Sequence, residues 1–232
     1  ASTPHGVVSV HRCGTSRQTP STAVVFDFGG VLFNWRPADL LMQLFPHRAP
    51  DMAASQALVK DIFQGLSLNA DWAAFDQGRI EPGPLAVQIA GRTGLAVAEV
   101  RHLIDAIPDH LTPKADTVEL LGRLHDGGVP LYFLSNMPAP YARELEARHA
   151  FLSYFEAGVF SGDVGISKPD PNIYHRAVER AGRPAERLIF VDDLEENIGV
   201  ATALGWCGGV VFKDAAQAAR DLKALGVLLT DE

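Results

Sequence analysis

Four short stretches of this sequence carry side chains that could do chemistry. The run Val24-Val25-Phe26 delivers Asp27 directly into Gly29-Gly30, a pair that permits a tight turn and a close backbone approach to a ligand. A second apolar run, Leu131 to Leu134, ends in the hydroxyl of Ser135 and then Asn136. Lys168 stands in Ser167-Lys168-Pro169-Asp170-Pro171, where the two prolines stiffen the chain and hold the ammonium as a positioned point charge. The run Leu188 to Val191 delivers Asp192-Asp193. Adjacent carboxylates at a strand end repel one another unless a cation or hydrogen bonds compensate, so a bound metal is the economical explanation.

These residues need one scaffold to bring them together. Continuous runs of β-branched and aromatic residues read as strands buried on both faces, and in parallel α/β sheets ligands sit beyond the carboxyl ends of such strands. From Lys114 onward helix and strand patterns alternate, as in a parallel sheet built from right-handed crossovers. Asp27, Ser135 and Asp192-Asp193 would then share one edge of one sheet, hence one site. The segment between the first strand and Lys114 carries helical signals and no convincing strand. Helices are predicted over 38–45, 52–63, 71–75, 85–90 and 96–107, with a turn at 76–84 and an exit at Pro108.

With 232 residues and 47% hydrophobic content, the chain can bury a core as one domain plus an insertion. A net charge of -8 without any Lys/Arg run argues against nucleic acid or an anionic membrane as partner, while a small anionic substrate needs only a few local cations. No apolar run approaches the roughly 20 residues of a spanning helix. Cys13 and Cys207 lie far apart without metal-ligand spacing, implying neither a disulfide framework nor zinc, and a cytoplasmic setting fits that usage. Residues 1–20 are expected to be a poorly ordered extension without the apolar core of a secretory signal.

The four stretches, in this order, resemble motifs I to IV of the haloacid dehalogenase (HAD) superfamily, over roughly residues 23–225. The third and fourth are the most specific: Lys168 before Pro169, and Asp192-Asp193 followed by Ala201 and Gly205. The resemblance implies an α/β, doubly wound, Rossmann-like core at 21–35 and 110–232, with a helical cap inserted at 36–109. It further implies that Asp27 is the nucleophile and that Lys168, the Ser135 hydroxyl and the Asn136 amide hold the phosphoryl oxygens. Magnesium would be bound by Asp27, Asp193 and the Gly29 carbonyl, with Asp192 a supporting acid.

The sequence departs from the family pattern at two positions. Gly29 stands where phosphatases of the family usually carry a second aspartate, the general acid-base group, although some bacterial sugar-phosphate phosphatases look similar there. Asn197 stands where many members carry another acid. Glu81, His47, His102 and His110 are candidates to replace the missing acid by residue type only. Arg36, Trp35 and Asn34 at the cap root, with Trp72 and Phe75, are candidates for substrate choice.

The expected function is a magnesium-dependent phosphatase acting on a small phosphorylated metabolite such as a sugar phosphate, by a monomer or homodimer. The alternatives are a metal-free 2-haloacid dehalogenase, which would leave Asp192-Asp193 without purpose, and a HAD-fold binding module weakened by Gly29.

Overall fold

The apolar runs that end in polar residues become neighbouring strands of one sheet. The computed structural model describes residues 7–9, 22–65, 67 and 69–227. Its strands are β1 (Val7–Ser9), β2 (Ala23–Phe26), β3 (Leu131–Ser135), β4 (Ala157–Phe160), β5 (Leu188–Asp192) and β6 (Gly208–Val211), in the order β1-β6-β5-β2-β3-β4. The five strands from β2 to β6 are parallel, and β1 closes one edge antiparallel to β6. Val7–Ser9 thus differ from the extension expected at 1–20, most of which lies outside the described residues.

Side chains alternate across the pleat, so the two faces of the sheet build two cores. Val24, Phe26, Ile189 and Val191 face one core, shared with α6 (Ala115–Asp126) and α11 (Ala215–Ala224). Val25, Leu134 and Phe190 face the other, closed by Ile173, Tyr174 and Ala177 of α9 (Pro171–Ala181) and Ile198 and Ala201 of α10 (Glu195–Ala203). Covering both faces is what a doubly wound α/β sheet requires, and it is why the strands read as unbroken apolar runs. Between β3 and β5 the chain also forms α7 (Ala139–Arg148), which the sequence pattern places at 141–149, and a single helical turn, α8 (Ser161–Val164), in a stretch that reads as a loop.

The register sets the site. Phe26 pairs with both Val191 and Phe133, so the residues that follow, Asp27, Asp192 and Leu134-Ser135, leave the sheet at the same edge. β2 lies between β3 and β5, where the strand order reverses, the position at which open α/β sheets bind ligands.

Between β2 and α6 the chain forms α1 (Pro37–Leu44), α2 (Met52–Phe63), α3 (Asp71–Asp76), α4 (Pro82–Thr93) and α5 (Val97–His110). Asp51 caps α2 by accepting from the Ala54 amide at 2.8 Å, and Pro37 and Pro82 begin α1 and α4 with φ already set. The turn expected at 76–84 is shorter than the sequence suggests, because Pro82 starts α4. Helix α5 runs on through Pro108 to His110 instead of ending before it. A proline leaves the carbonyl four residues earlier without its helical donor, and here the Ile104 carbonyl accepts from the Tyr141 hydroxyl at 2.6 Å. Among the described residues no helix is long and apolar enough to cross a membrane. Cys207 is disulfide-bonded, which corrects the expectation drawn from the cysteines and removes that argument for a reducing compartment.

Candidate active site

The edge formed by β2, β3 and β5 holds an ion cluster built around one buried lysine. The Lys168 ammonium lies 3.0 Å from Asp27 Oδ1, 2.7 Å from Asp192 Oδ2 and 3.1 Å from the Leu134 carbonyl oxygen, so its three N–H donors are all engaged. Its side chain is 2% exposed and that of Asp192 is 0% exposed. Two acceptors of opposite charge keep this lysine protonated in spite of burial, which alone would lower its pKa.

The loop carrying Lys168 is fixed by a side chain to which the sequence suggested another role. The Asn136 amide donates to the Lys168 carbonyl at 3.0 Å and accepts from the Lys168 backbone N–H at 2.8 Å. Asn136 therefore clamps the lysine through its side chain, whereas only its backbone amide had been expected to act. Ser135 is buried at the floor of the site, and its hydroxyl has no hydrogen-bond partner among the described residues. The Ser167 hydroxyl, of a residue that lines the same cavity, is buried and also lacks a partner there.

The adjacent aspartates separate because successive residues at a strand end face opposite ways. Asp192 turns inward, where it accepts from Lys168, from the Leu194 backbone N–H at 2.8 Å and from Asn197 Nδ2 at 3.1 and 3.0 Å. Asn197, which replaces an acid in the expected pattern, thus supplies a donor to Asp192. Asp193 turns outward and has no such set of donors. One carboxylate oxygen from each of Asp27, Asp192 and Asp193 lies within 4.8 Å of the others. Burial pushes the Asp27 carboxyl up to about 7; Lys168 opposes the shift, while Asp192 and Asp193 reinforce it. The Asp193 carboxyl is pushed up to about 6, first by desolvation and then by Asp192. One lysine therefore does not balance three carboxylates. Asp192 is satisfied by protein donors, so the shortfall falls on Asp27 and Asp193, the pair a divalent cation fits.

Gly30 makes this pairing possible. Its φ is +79°, and a Cβ there would sit 2.4 Å from Asp193 Oδ2. Lys114 donates to the Gly30 carbonyl at 3.2 Å and its charge favours the ionised form of Asp193, a supporting contact that sequence reasoning missed.

Above the cluster opens a cavity of about 450 Å³ lined by Asp27, Gly29, Ser135, Asn136, Lys168 and Asp193 at its floor. Its walls are mainly apolar and come largely from the helical segment, with Trp35, Val59, Phe63, Trp72, Ile107 and Leu111, joined by Met137 and Tyr141; Lys60 and Asp76 are the charged residues among them. The expected nucleophile, phosphoryl-binding and metal-binding residues thus reach one cavity, while Asp192, the expected supporting acid, is fully buried and does not line it. Trp35 and Trp72 line it as well, whereas Arg36, Asn34 and His110 border a separate cavity. Phe75 packs in the core against Trp72 and Tyr141. None of Glu81, His47, His102 and His110 lines the main cavity.

The family model for haloacid dehalogenase-like hydrolases matches residues 22–205, which span β2 through the end of α10. The chain belongs to that family. A sesquiterpene phosphatase, astK, from Aspergillus oryzae is 32% identical over 192 residues, covering 82% of this chain and 89% of the relative. Phosphoglycolate phosphatase from Pectobacterium atrosepticum is 30% identical, covering 68% and 72%. A HAD family enzyme from Bacteroides thetaiotaomicron, solved with magnesium and inorganic phosphate, superposes with a TM-score of 0.63 at 21% identity, covering 84% of this chain and 96% of that one. This HAD-like hydrolase is therefore an enzyme whose relatives over most of its length include phosphatases.

Proposed function

We propose that this HAD-like hydrolase is a magnesium-dependent phosphatase that cleaves a small apolar phosphate ester through an aspartyl-phosphate on Asp27. The observation that carries the reading is the placement of Asp27, 3.0 Å from the buried Lys168 ammonium, at the floor of a cavity whose walls are mainly apolar. The segment 36–109 would act as a cap over the core 21–35 and 110–232 and would supply most of those walls. A sugar ring offers several hydroxyls, for which walls that are mainly apolar hold few partners, at a cost of about 1–3 kcal/mol for each group left buried and unsatisfied. A hydrocarbon chain instead gains from burial, and the likeness to a sesquiterpene phosphatase supports that choice over the sugar phosphate expected from sequence.

The chemistry follows from residues at the cavity floor. Asp27 would attack phosphorus in line with the ester oxygen, and water would then release phosphate from the carboxyl. Lys168 keeps a positive charge beside the nucleophile, while the unpartnered Ser135 hydroxyl and the Asn136 backbone N–H would donate hydrogen bonds to the transferring oxygens. Magnesium, held by Asp27, Asp193 and the Gly29 carbonyl, would supply the charge that offsets repulsion between the nucleophile and the phosphoryl group. A dehalogenase would need no such cation. Its reading leaves the Asp27–Asp193 charge imbalance without a use.

Gly30→Ala is expected to separate the pair of carboxylates. The new methyl would displace Asp193 Oδ2, and turnover should fall about 100-fold, as misplacements of order 1 Å do. Addition of more magnesium should recover part of the loss, which titration of the variant would measure.

Initial rates on an isoprenyl monophosphate, phosphoglycolate and a hexose phosphate, with magnesium and with chelator, test the function. The isoprenyl ester should give the highest kcat/KM, and chelator should abolish turnover of all three. A preference for the hexose phosphate would refute the apolar substrate. Release of chloride from 2-chloropropionate in chelator, without phosphatase activity, would refute the phosphatase.

A further inference from the structure

The missing acid two residues after Asp27 leaves the leaving-group oxygen without a proton donor in the core. The titratable groups at the cavity are few. Asp27, Lys168 and Asp193 form the ion cluster, the Tyr141 hydroxyl is committed to the Ile104 carbonyl, and Lys60 is exposed on α2. Asp76, the last residue of α3, remains. Asp76 lines the cavity from the helical segment, and its carboxyl has neither a hydrogen-bond nor an ion-pair partner among the described residues. A partly buried carboxyl left without donors is costly as a structural element.

The backbone of Asp76 is firmly held. Its carbonyl accepts from Ser161 Oγ at 2.6 Å, and the same hydroxyl accepts from the Met137 amide at 2.8 Å. Met137 follows Ser135 and Asn136 at the end of β3. One hydroxyl thus ties the end of α3 to the loop that forms the cavity floor. Sequence patterning could not single out this aspartate, because it stands at a predicted turn and meets the site only through tertiary folding.

We infer that Asp76 is the general acid-base residue of this enzyme, supplied by the helical segment in place of the carboxyl absent at Gly29. The inference rests on the phosphatase reading. In the first half-reaction a carboxylate oxygen of Asp27 bonds to phosphorus and the bond from phosphorus to the ester oxygen breaks. The electron pair goes to that oxygen, which takes the proton of Asp76 and leaves as the alcohol. In the second, a water oxygen bonds to phosphorus as its proton passes to Asp76, the bond between phosphorus and Asp27 breaks, and both carboxyls return to their starting states. Burial pushes Asp76 up to about 7, so at neutral pH both the acid and the base form are populated. No charged partner contributes to that shift.

The role has a signature in the leaving group. An alkyl oxygen needs a proton as it departs, whereas a nitrophenolate departs readily without one. Asp76→Asn should therefore lower kcat/KM about 100- to 10,000-fold on an alkyl or isoprenyl monophosphate, and by less than about tenfold on p-nitrophenyl phosphate. The position left by the missing acid is sterically open: a Cβ at Gly29 would meet Trp35 Cβ at 3.8 Å, an ordinary contact. Adding Gly29→Asp to Asp76→Asn should restore at least about a tenth of the alkyl-ester rate, since it returns a carboxyl to the core. Thermal unfolding of each variant shows whether it is folded, and the double variant distinguishes a lost proton donor from a damaged cavity.

Equal losses on both esters, or no loss on the alkyl ester, would overturn the assignment while leaving the phosphatase intact. Failure of the unaltered chain to hydrolyse either ester with magnesium would overturn the phosphatase reading and this assignment with it.

Discussion

Asp27→Asn is expected to reduce phosphate release by at least about 10,000-fold while making the chain more stable. The carboxamide keeps the shape of the side chain but cannot form the acyl phosphate. The gain in stability follows from the raised pKa. A carboxyl whose folded-state pKa lies near 7, above its ordinary 3.8, contributes stability that is fully present below about pH 4 and is lost as pH rises through about 7. At pH 8 the unaltered, cation-free chain bears that cost, and the uncharged amide does not. The expected gain is on the order of 1–2 kcal/mol at pH 8 and none at pH 4. Chemical denaturation in chelator at the two pH values measures it. A fall in stability at pH 8 would mean that the Asp27 carboxylate holds the site together instead of straining it.

Lys168→Met is expected to lower stability, and by more. Removing the ammonium leaves Asp192 buried and Asp27 nearly so, with three hydrogen bonds lost. Breaking a buried pair by deleting one partner costs about 3–5 kcal/mol, because the remaining charge is uncompensated. Lys168 is also what holds the Asp27 pKa down against burial, so without it that pKa moves further up and the nucleophile ionises only in more alkaline solution. The destabilisation should therefore shrink toward pH 5, where Asp27 takes up a proton, and be largest near pH 8. Any residual activity should shift to higher pH. Denaturation curves with a pH-rate profile would check both, and a variant of unchanged stability would contradict the central place given to this lysine.

Where chain order alone brings groups together, the sequence was informative. Asp27, Ser135 and Asp192-Asp193 each end an apolar run, and parallel strands must present such ends at one edge, so the place of the site is legible in the sequence. The α/β doubly wound core follows from the same runs, since only strands covered on both faces lack polar alternation. What was missed depends on contacts between distant segments. The Asn136 clamp on Lys168 needs the end of β3 to meet the loop before α9. The inward turn of Asp192 needs Lys168 and Asn197 as neighbours, and only then does Asp193 stand out as the cation-facing acid. Helix α5 continues past Pro108 because a tyrosine from α7 satisfies the exposed carbonyl, an arrangement no local rule anticipates. Asp76 is the extreme case: its chemistry comes wholly from where α3 lands.

The apolar cavity walls also explain how Gly29 can be tolerated. A core aspartate at that position would add a fourth carboxyl to a site that already carries three against one buried lysine. Moving the acid to the helical segment keeps it out of the ion cluster, where like charges would push its pKa further up. A neutral acid beside an apolar leaving group is also the form that the surrounding walls favour.

The most direct test is a rapid acid quench of the unaltered chain during a single turnover of radiolabelled ester with magnesium, followed by peptide mapping. The account requires label to appear transiently on the peptide that contains Asp27, in step with release of the alcohol, and to be absent from Asp27→Asn. Release of alcohol and phosphate together, with no label on that peptide at any time point, would contradict it.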